Sequence, residues 1–382
     1  MPRLTAAAMT QASTMTGGRT GCGDGILRRS MGARSPNRAA GRSANPWMRG
    51  LRLTADLAAV LWIALAVALP GYAAPADGEP PDGERIYLWP GRTAPGSKGL
   101  PLTQQVSERS DDPARPDRAI TGVSQPYLVV YRPGKPNGIG LLVTPGGGYQ
   151  RIVLDKEGTA LAHDFVDAGG VTLFVLRYRL PGDGHASGAD APLADAQRAL
   201  RLIRARAREW QLDPARIGVM GFSAGGHVAA SLGTRFEEKV YKRVDRADAL
   251  SARPDFMLLI YPVISMDSGI AHGGSRERLL GAQPEPERVR RYSAEQRVFA
   301  DTPPAFLLHA EDDAVVDSEN SLRMHAALRA AGVPVEMHLY PRGGHGFGVR
   351  ETTGLPVALW PQLALRWMQS AAGNPSITAS GN

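Results

Sequence analysis

From about residue 125 to 370, short apolar runs bounded by proline and glycine alternate with longer stretches of helical period. The runs 127–131, 138–144, 171–178, 217–221, 256–261, 305–310 and 335–340 read as strands. Residues 155–168, 193–210, 318–330 and 359–370 read as helices, and a further helix starts at Ser223 and runs to about 232. The strand runs are apolar nearly throughout, as expected of a sheet covered on both faces. Alternation of such strands with helices predicts an α/β fold with a mostly parallel central sheet and helices on both faces. Residues 267–301 break the pattern. They are polar, carry Gly273 and Gly274, and are expected to form a short helical excursion over the carboxyl edge of the sheet.

The N-terminal part has a different character. Residues 1–47 hold seven arginines against one acid, Asp24, are rich in Gly, Ser, Ala and Thr, and show no sustained period, so disorder is expected there. A short basic stretch then precedes the apolar run 57–69 (LAAVLWIALAVAL), and Gly71 and Ala73 flank Tyr72 as a small-x-small cleavage site. This is the anatomy of a signal peptide over 48–73. Its apolar core is shorter than the roughly 20 residues of a membrane span. The basic region has ordinary length when counted from Met48, which points to a start there. Export is therefore expected, to a secreted or periplasmic address, with no stable membrane anchor after cleavage. Residues 74–124, rich in Pro, Gly and charge, read as an extended lead-in, with one short strand at 85–89, to a catalytic domain over 125–371, and 372–382 as a flexible tail.

This division changes the meaning of the charge. The chain has 382 residues and a net charge of +7, but nearly all of the excess lies before residue 76. The remainder is close to neutral, so the basic total does not argue for nucleic acid. The only cysteine, Cys22, lies in the prefix, which leaves the domain without disulfides, cysteine nucleophile or cysteine metal site. The histidines show no ligand spacing, and neither a metal nor a cofactor is expected.

Candidate chemistry centres on residues 221–225, GFSAG, between the strand RIGVMG and a small-residue helix. A G-x-S-x-G sequence in strand–turn–helix context is a nucleophile elbow, with Ser223 lifted to the top of the sheet. A serine hydroxyl needs a base. His345 lies in the glycine-flanked loop RGGHGF after a strand and is the candidate; His338 inside that strand, His325 on the preceding helix and His309 at a strand end are less suited, His309 reading as a hydrogen-bonding support. The acid must come from Glu311, Asp312 and Asp313, among which the pattern does not choose. Residues 145–149 (PGGGY) follow a strand where an oxyanion loop is expected, making the amides of Gly147, Gly148 and Ala224 the candidate oxyanion hole. No G-x-G-x-x-G and no Walker lysine accompany these glycines, which removes a nucleotide loop. Tyr149, Tyr178, Tyr261 and Phe347 sit at strand ends or loops where they could contact substrate or pack.

These motifs resemble those of the α/β-hydrolase superfamily, close to the esterase/lipase group that contains bacterial acetylxylan esterases. The resemblance rests on PGGGY, KEG at 156–158, YRL at 178–180, DAQRAL at 195–200, GFSAGGH at 221–227, HAEDDAVV at 309–316 and GGH at 343–345, and covers about 125–370. It implies Asp313 as the acid, four residues after His309. Ala310 stands where a glycine is usual, and Pro145 where many relatives have histidine. It also implies hydrolysis of acetyl or other short acyl esters, often of plant polysaccharide such as xylan, and a small-molecule or oligosaccharide ester as partner. Nothing in the sequence sets up a carboxylate pair for glycosidase chemistry. A prolyl-oligopeptidase-type peptidase would need more chain before residue 125 for its filter, and a non-catalytic binding domain would need a broken triad.

Overall fold

The structure is a computed structural model and describes residues 83–373. The arginine-rich prefix, the expected leader at 48–73, Cys22, the first part of the lead-in and most of the expected tail lie outside the described residues.

Eight strands form one sheet: β1 (Glu84–Tyr87), β4 (Tyr127–Tyr131), β5 (Gly140–Thr144), β7 (Thr172–Arg177), β8 (Ile217–Phe222), β9 (Met257–Ile260), β10 (Ala305–Ala310) and β11 (Val335–Tyr340). Their spatial order is β1-β4-β7-β5-β8-β9-β10-β11. β1 and β4 pair antiparallel with their neighbours, and every pair from β7 to β11 is parallel. This is the α/β-hydrolase architecture that the strand pattern and the resemblance led one to expect. The segment expected to be an extended lead-in with one short strand at 85–89 is built further into the fold than that. It supplies edge strand β1, and also β2 (Gln105–Ser107) and β3 (Ala119–Thr121), which pair with β6 (Ile152–Val153) in a small antiparallel sheet.

Side chains alternate across the main sheet. Leu142, Phe174, Leu176 and Val219 face a core shared with α1 (Ala191–Ala205), α2 (Ser223–Thr234) and α5 (Glu319–Ala330). Leu141, Val143, Leu173, Val175 and Met220 face a second core closed by residues 162–168 and α6 (Trp360–Gly373). The polar excursion forms α3 (Gly273–Leu280) and α4 (Pro286–Tyr292).

Two predicted helices differ from observation. Residues 155–168 make two wide-turned π-type segments, Asp155–Thr159 and Ala162–Ala168, in place of one regular helix. The carboxylates of Asp155 and Glu157 are both buried there and bond outside the helix, to Arg118 and to the amide of Gly146. These bonds compete with the regular ladder. The helix predicted over 193–210 breaks at Arg206 (φ −108°, ψ 15°), and a tighter turn, Ala207–Trp210, follows. That turn places Trp210 against Phe174, with ring centroids 4.8 Å apart.

A buried ion pair ties the N-terminal segment to α1. Asp195 and Arg179 are both fully buried. Asp195 accepts from Trp89 Nε1 (2.9 Å), from the Arg179 amide (2.9 Å) and from the Arg179 guanidinium (2.9 Å), and Arg179 donates onward to the Pro95 carbonyl (2.6 Å). Removing one partner of such a pair leaves an uncompensated buried charge. Asp195→Ala is expected to cost about 3–5 kcal/mol, read as a lowered urea midpoint at neutral pH.

Candidate active site

Ser223 is the first residue of α2 and follows β8 directly. Its backbone is left-handed, φ 51°, a conformation uncommon outside glycine. The tight turn fits because Gly146 and Gly225, packed against it, carry no side chains. A Cβ on Gly225 would fall 2.0 Å from the Thr144 carbonyl oxygen, and one on Gly146 would lie 2.9 Å from the Ser223 Cβ. The oxyanion loop is thus pressed directly against the serine.

His345 arrives from the loop after β11. Its Nε2 lies 2.9 Å from Ser223 Oγ and its Nδ1 lies 2.7 Å from Asp313 Oδ2. In the tautomer that serves both partners, Nδ1–H donates to Asp313 and Nε2 accepts from the serine hydroxyl. The three adjacent carboxylates have separate places. Glu311 is exposed. Asp312 accepts from the amides of Gly343 (2.8 Å) and Gly344 (2.7 Å), pinning the histidine loop. Asp313 is buried, and its Oδ1 accepts from the amides of Val315 and Val316, both at 2.9 Å. His309 Nε2 lies 3.3 Å from Asp313 Oδ2 and donates to the Val316 carbonyl at 2.9 Å, while its Nδ1 accepts from Ser321 Oγ at 2.7 Å. Burial alone would raise the Asp313 carboxyl, but the bonds from His309, His345 and the Val316 amide outweigh it and hold the group well below the usual carboxylate range. A carboxylate that stays ionised is what orients an imidazole and stabilises its protonated form.

The loop after β5 brings Gly147 and Gly148 to the same cavity as Ser223 and His345. Among the described residues, the amides of Gly147, Gly148 and Ala224 donate to no protein acceptor, which leaves them available to an oxyanion. The amide of Gly146 is occupied: it donates to Glu157 Oε2 at 2.7 Å. Tyr261 donates its hydroxyl to Glu157 Oε1 at 3.0 Å and accepts from the amide of Gly348 at 3.0 Å. One buried carboxylate therefore links the oxyanion loop, the end of β9 and the histidine loop. The sequence offered a signal for it only in the KEG segment at 156–158.

The aromatic residues considered for substrate contact stand behind the site. Tyr149, Tyr178 and Phe347 are 2%, 0% and 1% exposed and line no part of the cavity. The Tyr149 hydroxyl donates to His227 Nδ1 (2.6 Å), whose Nε2–H donates to the Tyr292 carbonyl (2.7 Å). Tyr178 donates to the Pro145 carbonyl (2.7 Å). Phe347 packs edge-on against Tyr261, centroids 4.6 Å apart. Burial raises the phenols of Tyr149, Tyr178 and Tyr261, which keeps all three as donors. They brace the oxyanion and histidine loops because their polar tips find protein partners and their rings complete the core. The cavity itself, about 390 Å³, is walled by Gly147, Gly148, His345, Arg151, Lys156 and, from the excursion, His272 and Arg278. His272 is held by Ser275, and burial together with the nearby His345 lowers its imidazole.

The profile of a family described as BD-FAE matches residues 141–328. Over 226 residues the chain is 35% identical to an acetylxylan esterase of Xylanibacter ruminicola, covering 58% of this chain and 43% of that protein. It is 38% identical over 209 residues to an endo-1,4-beta-xylanase B of Butyrivibrio fibrisolvens, covering 55% of this chain and 32% of that protein. The chain thus matches less than half the length of these two relatives. A solved structure, of an acetyl ester-xyloside bifunctional hydrolase from Caldicellulosiruptor lactoaceticus, is 38% identical with a TM-score of 0.62, covering 76% of this chain and 96% of that one.

Glu157→Ala would leave both the Gly146 amide and the Tyr261 hydroxyl unpaired, each costing about 1–3 kcal/mol. The expected result is a loss of at least tenfold in kcat toward p-nitrophenyl acetate with a smaller change in KM. Glu157→Gln, which can keep the Gly146 bond, should lose less. Steady-state kinetics on the three proteins check this.

Proposed function

Because this chain belongs to the α/β-hydrolase superfamily, in the esterase/lipase group of the bacterial acetylxylan esterases, we propose that it is a serine carboxylesterase that removes acetyl or similarly short acyl groups from carbohydrate. The observation that carries the reading is the unbroken chain from Ser223 through His345 to Asp313, opening on a cavity beside unpaired loop amides.

In this reading Ser223 Oγ attacks the acyl carbonyl while His345 Nε2 takes its proton. The negative charge that develops on the carbonyl oxygen is met by the amides of Gly147, Gly148 and Ala224, aided by the N-terminus of α2. His345 then gives its proton to the departing sugar hydroxyl, leaving an acyl-enzyme. A water molecule repeats the sequence in reverse and releases the acid and free Ser223. Asp313 keeps the imidazole oriented and stabilises its positive form, and Asp312 and Glu157 hold the loops that present the groups. The excursion supports the choice of a short acyl group. It contributes His272 and Arg278 to the cavity wall and so meets substrate with polar atoms. Each methylene placed in an apolar pocket would gain about 0.8 kcal/mol, a gain this wall does not offer. A hydroxylated leaving group suits the same wall.

Relative kcat/KM across p-nitrophenyl acetate, butyrate, octanoate and palmitate, beside acid released from acetylated xylan, tests the proposal. Acetate and butyrate are expected to exceed octanoate by at least tenfold; a rise from acetate to octanoate would defeat it. Ser223→Ala should lower kcat by roughly 10⁶-fold and Asp313→Asn by roughly 10⁴-fold, with folding retained. Asp312→Asn should lose less, since it loosens the loop without removing the imidazole's partner.

We also propose that residues 48–73 direct export and are removed. Among the described residues no helix is long and apolar enough to cross a membrane. Intact-mass analysis of protein made by its native cell is expected to find an N-terminus near Ala74 outside the cytoplasm; a cytoplasmic product that keeps residues 48–73 would refute it.

A further inference from the structure

The rim of the cavity is cationic. Arg109, Arg151, Lys156 and Arg278 all line it together with Ser223 and His345. Arg109 is neutralised by Asp117, 2.6 Å away. Among the described residues the other three form no ion pair. Lys156 and Arg278 make no ion pair or side-chain hydrogen bond among the described residues, although ion pairs are frequent elsewhere on the molecule. Arg151 makes only a long contact to Gln150, 3.5 Å, and its Nε is buried without a partner.

Of the carboxylates around the site, Asp117 acts on Arg151 but is already paired with Arg109, and Glu157 and Asp313 are not free to serve the cations. Both oxygens of Glu157 are taken by Gly146 and Tyr261, and Asp313 is enclosed by His345, His309 and two amides. Nor do the cations stabilise one another: burial and the neighbouring Arg109 and Arg278 lower the Arg151 guanidinium, and Asp117, paired with Arg109, offsets this only in part. Holding like charges together around a cleft costs free energy, and a bound anion would reverse the sign of that cost. Neutral xylose or its acetate offers no such charge. A carboxylate does, and its two oxygens match the planar fork of a guanidinium. Since the cations share one cavity of about 390 Å³ with Ser223 and His345, the anion must lie within about one sugar residue of the scissile ester.

We infer that Arg151, Lys156 and Arg278 form a carboxylate-binding subsite, and that the preferred substrates are acyl esters of acidic saccharides, with a uronic acid at or beside the acylated sugar. This rests on the esterase reading and names the class of alcohol within it.

The test compares a mono-acetylated methyl glucuronoside with the matching glucoside and with the carboxamide of the same uronoside, at low and at raised ionic strength. p-Nitrophenyl acetate serves as the reporter without a sugar, and mono-p-nitrophenyl succinate asks whether the subsite accepts a carboxylate on the acyl side. The expected result is a preference of at least tenfold in kcat/KM for the uronoside over both neutral sugars, carried mainly by KM and eroded by salt. In Arg278→Gln and Lys156→Gln that preference ratio should fall toward one. In Ser223→Ala, calorimetry should show the uronoside binding at least tenfold more tightly than the glucoside, a readout independent of turnover. A wild-type ratio near one, a ratio unchanged by both substitutions, or a preference confined to the succinate ester would overturn the inference while leaving the esterase reading intact. Absence of hydrolysis of every ester, p-nitrophenyl acetate included, would remove the esterase reading and this inference with it.

Discussion

The site depends on one backbone constraint: a serine held in a left-handed conformation where a strand becomes a helix. The elbow that holds Ser223 at φ 51° leaves no room for a Cβ atom at Gly146 in the chain above it or at Gly225 in the turn below it. The sheet register supplies the first of these close approaches. β5 runs beside β8 with Thr144 opposite Gly221, so the loop leaving β5 must cross the elbow. Gly225 supplies the second, because its missing side chain leaves room for the Thr144 carbonyl. Strain at a single residue is stable when the surroundings over-determine it, and here the two adjoining strands and α2 all bear on the same turn.

Around this point the loops are fastened by polar groups more than by apolar packing. Glu157 reaches Gly146 on one side and, through Tyr261, Gly348 on the other. Asp312 holds the backbone of Gly343 and Gly344, and His309 holds Asp313 and the turn at Val316. Glu157 and Asp312 each satisfy donors of a glycine-rich loop that could not otherwise keep one shape, since glycine loses the most backbone freedom on ordering. Donors and dipoles fixed before substrate arrives need no reorganisation when charge develops. The aromatic residues near the site serve the same end, which is why Tyr149, Tyr178 and Phe347 point inward.

The excursion between β9 and β10 gives this fold its particular face. Its helix α3 is short, and its buried residues, Ser275, Leu279 and Leu280, anchor it to the core. His272 and Arg278 then form part of the cavity wall together with Arg151 and Lys156, which makes the rim rich in cations.

The sequence by itself determined the order of strands and helices, the elbow at Ser223 and the histidine loop, because each is a local matter: apolar period, turn chemistry and glycine placement are written within a few neighbouring residues. The choice among Glu311, Asp312 and Asp313 was not local. Adjacent carboxylates differ only in where the turn after β10 aims them, and that direction depends on His309, Ser321 and the loop after β11. The same holds for Glu157, whose partners lie 11 and 104 residues away in the chain, and for the widened helix that carries it. It holds also for the cations of the rim, which come from three separated segments and acquire a common purpose only when the sheet edge brings them to one cavity. Periodicity reports which face of an element is buried. Only the tertiary structure decides which polar group meets which, since that is set by contacts between segments far apart in the chain.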